Sequence, residues 1–134
     1  MRIGDAGTLK PLAATDLVFR GYQLDPQGIP SFRYRVAGIE IEDRIEPLGD
    51  EGLRRELHCQ AALGSVSSSA STLWMSLSGD IDKLTEAGSC VTTDQLRIKL
   101  EADTPSRLQE WANQTHWLIA IPPSTQHLGI QYRW

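Results

Sequence analysis

Apolar and polar residues alternate with a period of two along most of this chain, the pattern of strands with one face buried and the other in water. Phe32, Tyr34 and Val36 alternate with Arg33 and Arg35. After Ala37-Gly38, Ile39 and Ile41 alternate with Glu40 and Glu42, and Ile45 resumes the apolar phase after Asp43. These two runs read as a β-hairpin turning at Gly38, which takes a positive φ without a Cβ penalty. Paired across that turn, Arg33 and Arg35 come near Glu42 and Glu40, and the opposite charges favour that register.

The period persists on either side. Leu17 to Asp25 is a strand with apolar residues on both parities, Leu17 and Phe19 against Val18, Tyr22 and Leu24, which predicts a central or twisted position. Asp25-Pro26-Gln27-Gly28-Ile29-Pro30 is a turn, with Pro presetting φ and Gly accepting a left-handed conformation. Its single carboxylate, Asp25, is too little for a calcium site. Downstream, Leu53, Leu57, Cys59 and Ala61 alternate with Arg54, Glu56, His58 and Gln60. Leu73, Met75 and Leu77 alternate with Trp74, Ser76 and Ser78, and Leu96, Ile98 and Leu100 with Arg97, Lys99 and Glu101. Trp117, Ile119 and Ile121 lead to Pro122-Pro123, and Leu128, Ile130, Tyr132 and Trp134 form the last apolar phase. Gly64 to Thr72 is Ser-rich and reads as a loop or weak edge segment. Only Pro105 to Asn113 has helical spacing, with Leu108 and Trp111 at i, i+3 behind Thr104 as a cap. The sum is an all-β chain, an antiparallel β-sandwich of about eight or nine short strands with at most one short helix. Its 134 residues are the size of one domain and bury enough surface to need no disulfide or metal.

Several function classes find no support. The net charge of −4 argues against a general nucleic-acid or anionic-lipid surface, and no apolar run approaches the ~20 residues of a membrane span. Cys59 and Cys90 match no metal, redox or haem-attachment spacing and read as small buried residues, a disulfide being the minor alternative. His58, His116 and His127 show no zinc-ligand spacing and read as surface residues. No phosphate loop or nucleophile elbow occurs, and no cofactor is implied. Glu40/Glu42 and Asp80/Asp82 are paired acids on strand spacing, compatible with glycoside hydrolysis but ordinary for a polar face.

Tryptophan is the enriched residue, with four in the chain. Trp117 and Trp134 are in phase with aliphatic neighbours and are expected in the core. Trp74 is out of phase with Leu73, Met75 and Leu77, and Trp111 lies in a polar context, so these two are the candidate ligand or interface contacts. An exposed indole can stack on a sugar ring, or seat a neighbouring domain.

The stretch Phe19-Arg20-Gly21-Tyr22-Gln23-Leu24-Asp25-Pro26-Gln27-Gly28-Ile29-Pro30-Ser31-Phe32-Arg33-Tyr34 resembles a recurrent F-x-G-Y-x-L-D-x-x-G-x-P-x-F-x-Y segment of large secreted proteins of planctomycetes and related bacteria. Ile41-Glu42-Asp43, Gly52-Leu53-Arg54-Arg55-Glu56-Leu57 and the Ile130 to Trp134 strand are similar to later strands of the same module in those proteins; Ala62 to Thr115 has no counterpart. Those proteins are multidomain, often joining a c-type cytochrome and a propeller or dehydrogenase-like domain to this module. The resemblance implies a periplasmic or secreted setting, a chain cut from a longer protein, and a non-catalytic accessory role with neighbouring domains of the parent chain as partners. It transfers turn and core positions but no haem or cofactor site. Without it, the N-terminus, which lacks a secretory h-region, suits either a cytoplasmic protein or such a segment. A polysaccharide-binding module using Trp74 and Trp111 is the alternative expectation, and a small hydrolase the third.

Overall fold

The computed structural model describes residues 2–4, 10–11, 16–61, 72–78, 83–85, 90–92, 96–102, 104–111, 113–121 and 126–134. Within them lie thirteen strands and no α-helix: β1 (Arg2–Gly4), β2 (Lys10–Pro11), β3 (Leu17–Leu24), β4 (Pro30–Val36), β5 (Ile39–Pro47), β6 (Gly52–Ala61), β7 (Thr72–Ser78), β8 (Lys83–Thr85), β9 (Cys90–Thr92), β10 (Arg97–Leu100), β11 (Ser106–Trp111), β12 (Gln114–Ile121) and β13 (Gln126–Arg133). They form two antiparallel sheets, ordered β3-β4-β5-β6-β13-β10-β9-β8 and β11-β12-β7-β1-β2. Nine strands have four or more residues, six in the larger sheet and three in the smaller. The chain is the β-sandwich that its alternation predicts.

The core is the sum of the inward phases. Val36, Ile39, Ile41, Leu57, Cys59, Ile98, Leu100, Leu128 and Ile130 come from the larger sheet and Leu73, Met75, Trp117, Ile119 and Ile121 from the smaller, all buried in one cluster. The β4–β5 hairpin turns on Ala37 and Gly38, with φ 47° and 80°, the two positive values a two-residue primed turn requires. Its register sets Arg33 opposite Glu42 and Arg35 opposite Glu40, and Arg35 Nη2 lies 2.6 Å from Glu40 Oε1. In the β3–β4 turn the Gly28 amide donates to the Asp25 carbonyl at 2.9 Å. The Asp25 carboxylate accepts from the Gln27 and Ile29 amides and from Arg44, and these bonds, the Ile29 amide foremost, hold its pKa below the ordinary value. Cys59 and Cys90 are buried free thiols.

Three expectations need correction. Pro105 to Asn113 is not helical: residues 106–111 form β11, paired with β12 from Ser106↔Ile119 to Trp111↔Gln114. A helix this short is marginal by itself, whereas a left-handed Asn113 (φ 61°) turns the chain into a hairpin whose ladder to β12 runs over six residue pairs, and β12 in turn pairs with β7. Trp134 is 59% exposed although it keeps the inward parity of Ile130, because it lies past the end of the packed layer. Of the central or twisted position expected for β3, the central one is overturned, since β3 is an edge strand, and its mixed parity has a local cause. The register slips between Phe19 and Gly21, where Arg20 is the extra residue of a β-bulge and Gly21 adopts φ 118°. Leu17 and Phe19 pair with Val36 and Tyr34; beyond the bulge, Tyr22 pairs with Phe32 and Leu24 with Pro30. The bulge thus turns an odd-numbered apolar phase into an even-numbered one. Leu17, Phe19, Tyr22 and Leu24 all follow the parity of Val36, Tyr34 and Phe32. The Ser-rich Gly64 to Ser71 stretch lies outside the described residues.

Candidate functional site

The inward face is apolar and uncovered along β3 and partly covered along β4. Phe19 is 60% exposed, Tyr22 64% and Leu24 61%, with Leu17 also open, while Val36 on the same face of β4 is fully buried. The Tyr22 and Phe32 rings lie 6.2 Å apart, within the range of a tilted aromatic pair. Where this face meets the sandwich, Leu17, Phe19, Tyr34, Arg55, Met75 and Ser76 line an open cleft of about 360 Å³.

The polar side of that cleft belongs to an ion pair set into the inward phase. Asp43 stands between Ile41 and Ile45 on β5, and Arg55 two residues before Leu57 on β6. Their strands pair Asp43 with Leu57 and Ile45 with Arg55, which makes the charged residues diagonal neighbours on the core side. Asp43 is 4% exposed. Arg55 grips it as a fork, Nε donating to Oδ1 at 2.9 Å and Nη2 to Oδ2 at 2.5 Å. The Tyr34 hydroxyl sits 3.4 Å from Asp43 Oδ2, and Arg55 Nη2 lies 3.8 Å from Met75 Sδ. Burial opposes the charge on Arg55, but the bonds and charge of Asp43, with Tyr132, outweigh it and hold the guanidinium above its ordinary pKa. Burial, and then the Asp43 charge, push Tyr34 up to about 12 and Cys59 up to about 11.

These shifts fix a pH dependence. Between pH about 10 and 12 the folded chain keeps a phenol proton that the unfolded chain has released, so unfolding becomes easier as pH rises through that window. Tyr34→Phe is expected to flatten the fall above pH 10 and to leave the earlier loss due to Cys59, between about 9 and 11. Urea midpoints taken across the alkaline range measure it, and identical slopes in the two proteins would refute the assignment.

The outward face of the larger sheet is a lattice of exposed charge. Arg54 contacts Glu46, Glu56 and Glu101, with its Nη2 2.8 Å from Glu101 Oε2. Glu101 leans over Gly129 on the intervening strand, in the space a Cβ there would occupy, and also accepts from Gln131 at 2.9 Å. Its bonds from Arg54 and Gln131 hold the carboxyl below the ordinary range. His58 and His127, distant in sequence, are cross-strand partners with rings stacked at 4.2 Å, and Glu56 lies 3.4 Å from His127. Among the described residues no group of three or more His, Cys, Asp or Glu is placed to hold a metal ion. Glu40 is engaged by Arg35, and Asp80 and Asp82 lie outside the described residues.

Trp74 does take the phase opposite to Leu73 and Met75. Its ring is half-buried and carries the Arg107 guanidinium 5.0 Å from its centroid, so one face is already closed to a sugar. Trp111 ends β11 opposite Gln114, and its side chain lies outside the described residues. Trp74 sits on β7 of the smaller sheet and is not among the residues that line the cleft. Ser76 Oγ is 3.4 Å from His116 Nδ1, at the outer limit of hydrogen bonding.

In the sequence Phe19, Tyr22 and Leu24 are legible as strand residues but not as a surface, and Asp43 and Arg55 not as a pair. A signal for each exists in the chain. Glycine at the point where β3 changes parity marks a bulge, and opposite charges on the apolar phase of successive strands mark a buried pair. Comparison of the chain with protein-family models, with curated proteins and with solved structures returns no match.

Proposed function

We propose that this domain is a non-catalytic interaction module that seats a neighbouring domain of its parent polypeptide on the part of the β3 and β4 face that the core leaves uncovered. The observation that carries the reading is the bulge at Arg20, which gathers Leu17, Phe19, Tyr22 and Leu24 onto one face beyond the packed core. Phe19 and Tyr22 alone offer roughly 250 Å² of exposed surface, worth about 6 kcal/mol if covered, before the costs of association. The four side chains together expose roughly 400–500 Å², well short of the ~800 Å² per partner typical of stable complexes between free proteins. A tethered neighbour needs less, because the linker supplies the effective concentration. The area therefore favours a domain of the same polypeptide over a second copy of this one. The resemblance of Phe19 to Tyr34 to a segment of multidomain secreted proteins supports the same partner and an extracytoplasmic setting.

A photoreactive phenylalanine analogue in place of Tyr22 in the parent polypeptide tests the reading. The expected product is an intramolecular cross-link to another domain, with the isolated 134-residue chain sedimenting as a monomer. Absence of any such cross-link, or a cross-linked dimer of the isolated chain, would overturn it.

A further inference from the structure

We infer that the cleft beside β3 is an anchor pocket for one uncharged aromatic or branched aliphatic side chain, supplied by the domain that docks on β3 and β4; this rests on the proposed function and names the chemistry the site selects. The volume of about 360 Å³ lies at the low end of small-ligand pockets, which suits a single side chain with its adjoining amide. Leu17, Phe19 and Met75 supply apolar walls, and only Arg55, Tyr34 and Ser76 bring polar atoms.

The ion pair decides the charge of the guest. Arg55 commits Nε and Nη2 to Asp43, so its charge is answered within the pocket wall. A carboxylate entering beside Arg55 meets the Asp43 carboxylate across the same guanidinium, and a cation meets Arg55 itself. Either would also leave water for a largely apolar cleft with no free counter-charge. An uncharged side chain avoids both costs and gains contact with Phe19 and Met75, the latter a thioether suited to an aromatic guest. Interface anchors of this kind, one large side chain in a preformed pocket, carry a disproportionate share of docking energy.

The isolated chain provides the test, independent of any neighbour. It has two methionines, Met1 and Met75, so ¹³C-methyl labelling gives one resonance inside the cleft and one reference. Titration with N-acetyl-phenylalaninamide or N-acetyl-leucinamide is expected to move the Met75 methyl saturably, with a dissociation constant on the order of millimolar. The aspartyl and lysyl amides should move it at least about tenfold less at equal concentration. Phe19→Ser, a change at an exposed wall, should weaken the response several-fold. A still Met75 resonance, equal responses to charged and uncharged amides, or a response untouched in Phe19→Ser would each overturn the pocket. The Tyr22 cross-link could survive any of these, which separates failure of the pocket from failure of the docking face.

Discussion

Asp43→Ala is expected to lower the free energy of unfolding by about 3–5 kcal/mol, read as a fall in the urea midpoint with little change in slope. Asp43 is almost fully buried and accepts the Arg55 fork on the inward face of the sheet. Truncating it leaves the Arg55 guanidinium beside the core without a counter-charge and a void where the carboxylate stood. The cost belongs to breaking the pair rather than to lacking it. Replacing both partners, Asp43→Leu with Arg55→Met, removes the two charges together and should recover most of the loss. An Asp43→Ala effect below about 1 kcal/mol, the size of an exposed ion pair, would show that water reaches the carboxylate freely. A double variant as unstable as Asp43→Ala would show that the residues matter separately. With total stability of a domain on the order of 5–15 kcal/mol, the single variant also sits near the threshold of folding.

Trp117→Ala should cost a similar amount, about 3–5 kcal/mol, through the cavity it opens in the centre of the smaller sheet. Trp117 has no exposed surface and packs in one cluster with Ile119, Ile121, Leu73 and residues of the opposing sheet. Trp134→Ala is the matched control. The same substitution at a side chain 59% exposed should change stability by no more than about 0.5 kcal/mol. Chemical unfolding of the two variants beside the parent measures the difference, and equal losses would mean that the packed layer reaches the chain's last residue.

That contrast shows what a two-residue period carries and what it lacks. Parity says which face of a strand a side chain takes, and it is right for Ile98, Leu100, Leu128 and Ile130, all buried. It does not say how far the opposing sheet extends. Trp134 and Tyr22 therefore share the inward parity and are both left in water. Every strand of four residues or more is visible in the alternation except β11. There Leu108 and Trp111 share a face only in a helix and take opposite faces of a strand, so the spacing points to the wrong element and pairing with β12 overrides it. The shorter strands β1, β2, β8 and β9 hold too few residues to express a period at all. The candidate site is legible one side chain at a time and not as a place. Asp43 and Arg55 become a pair only once the β5–β6 register is known, and the meeting of His58 with His127 depends likewise on β6 lying beside β13.

The glycine at position 129 adds a side-chain tie to the ladders of the larger sheet. Through the space above it, Glu101 reaches from the end of β10 across β13 to Arg54 on β6, joining two strands that share no backbone ladder. Peeling β13 from either neighbour disturbs this tie as well as a row of amide bonds. The three strands are thereby laced into one cooperative unit, whose amides should exchange with solvent at a common rate through a shared opening rather than fraying one strand at a time.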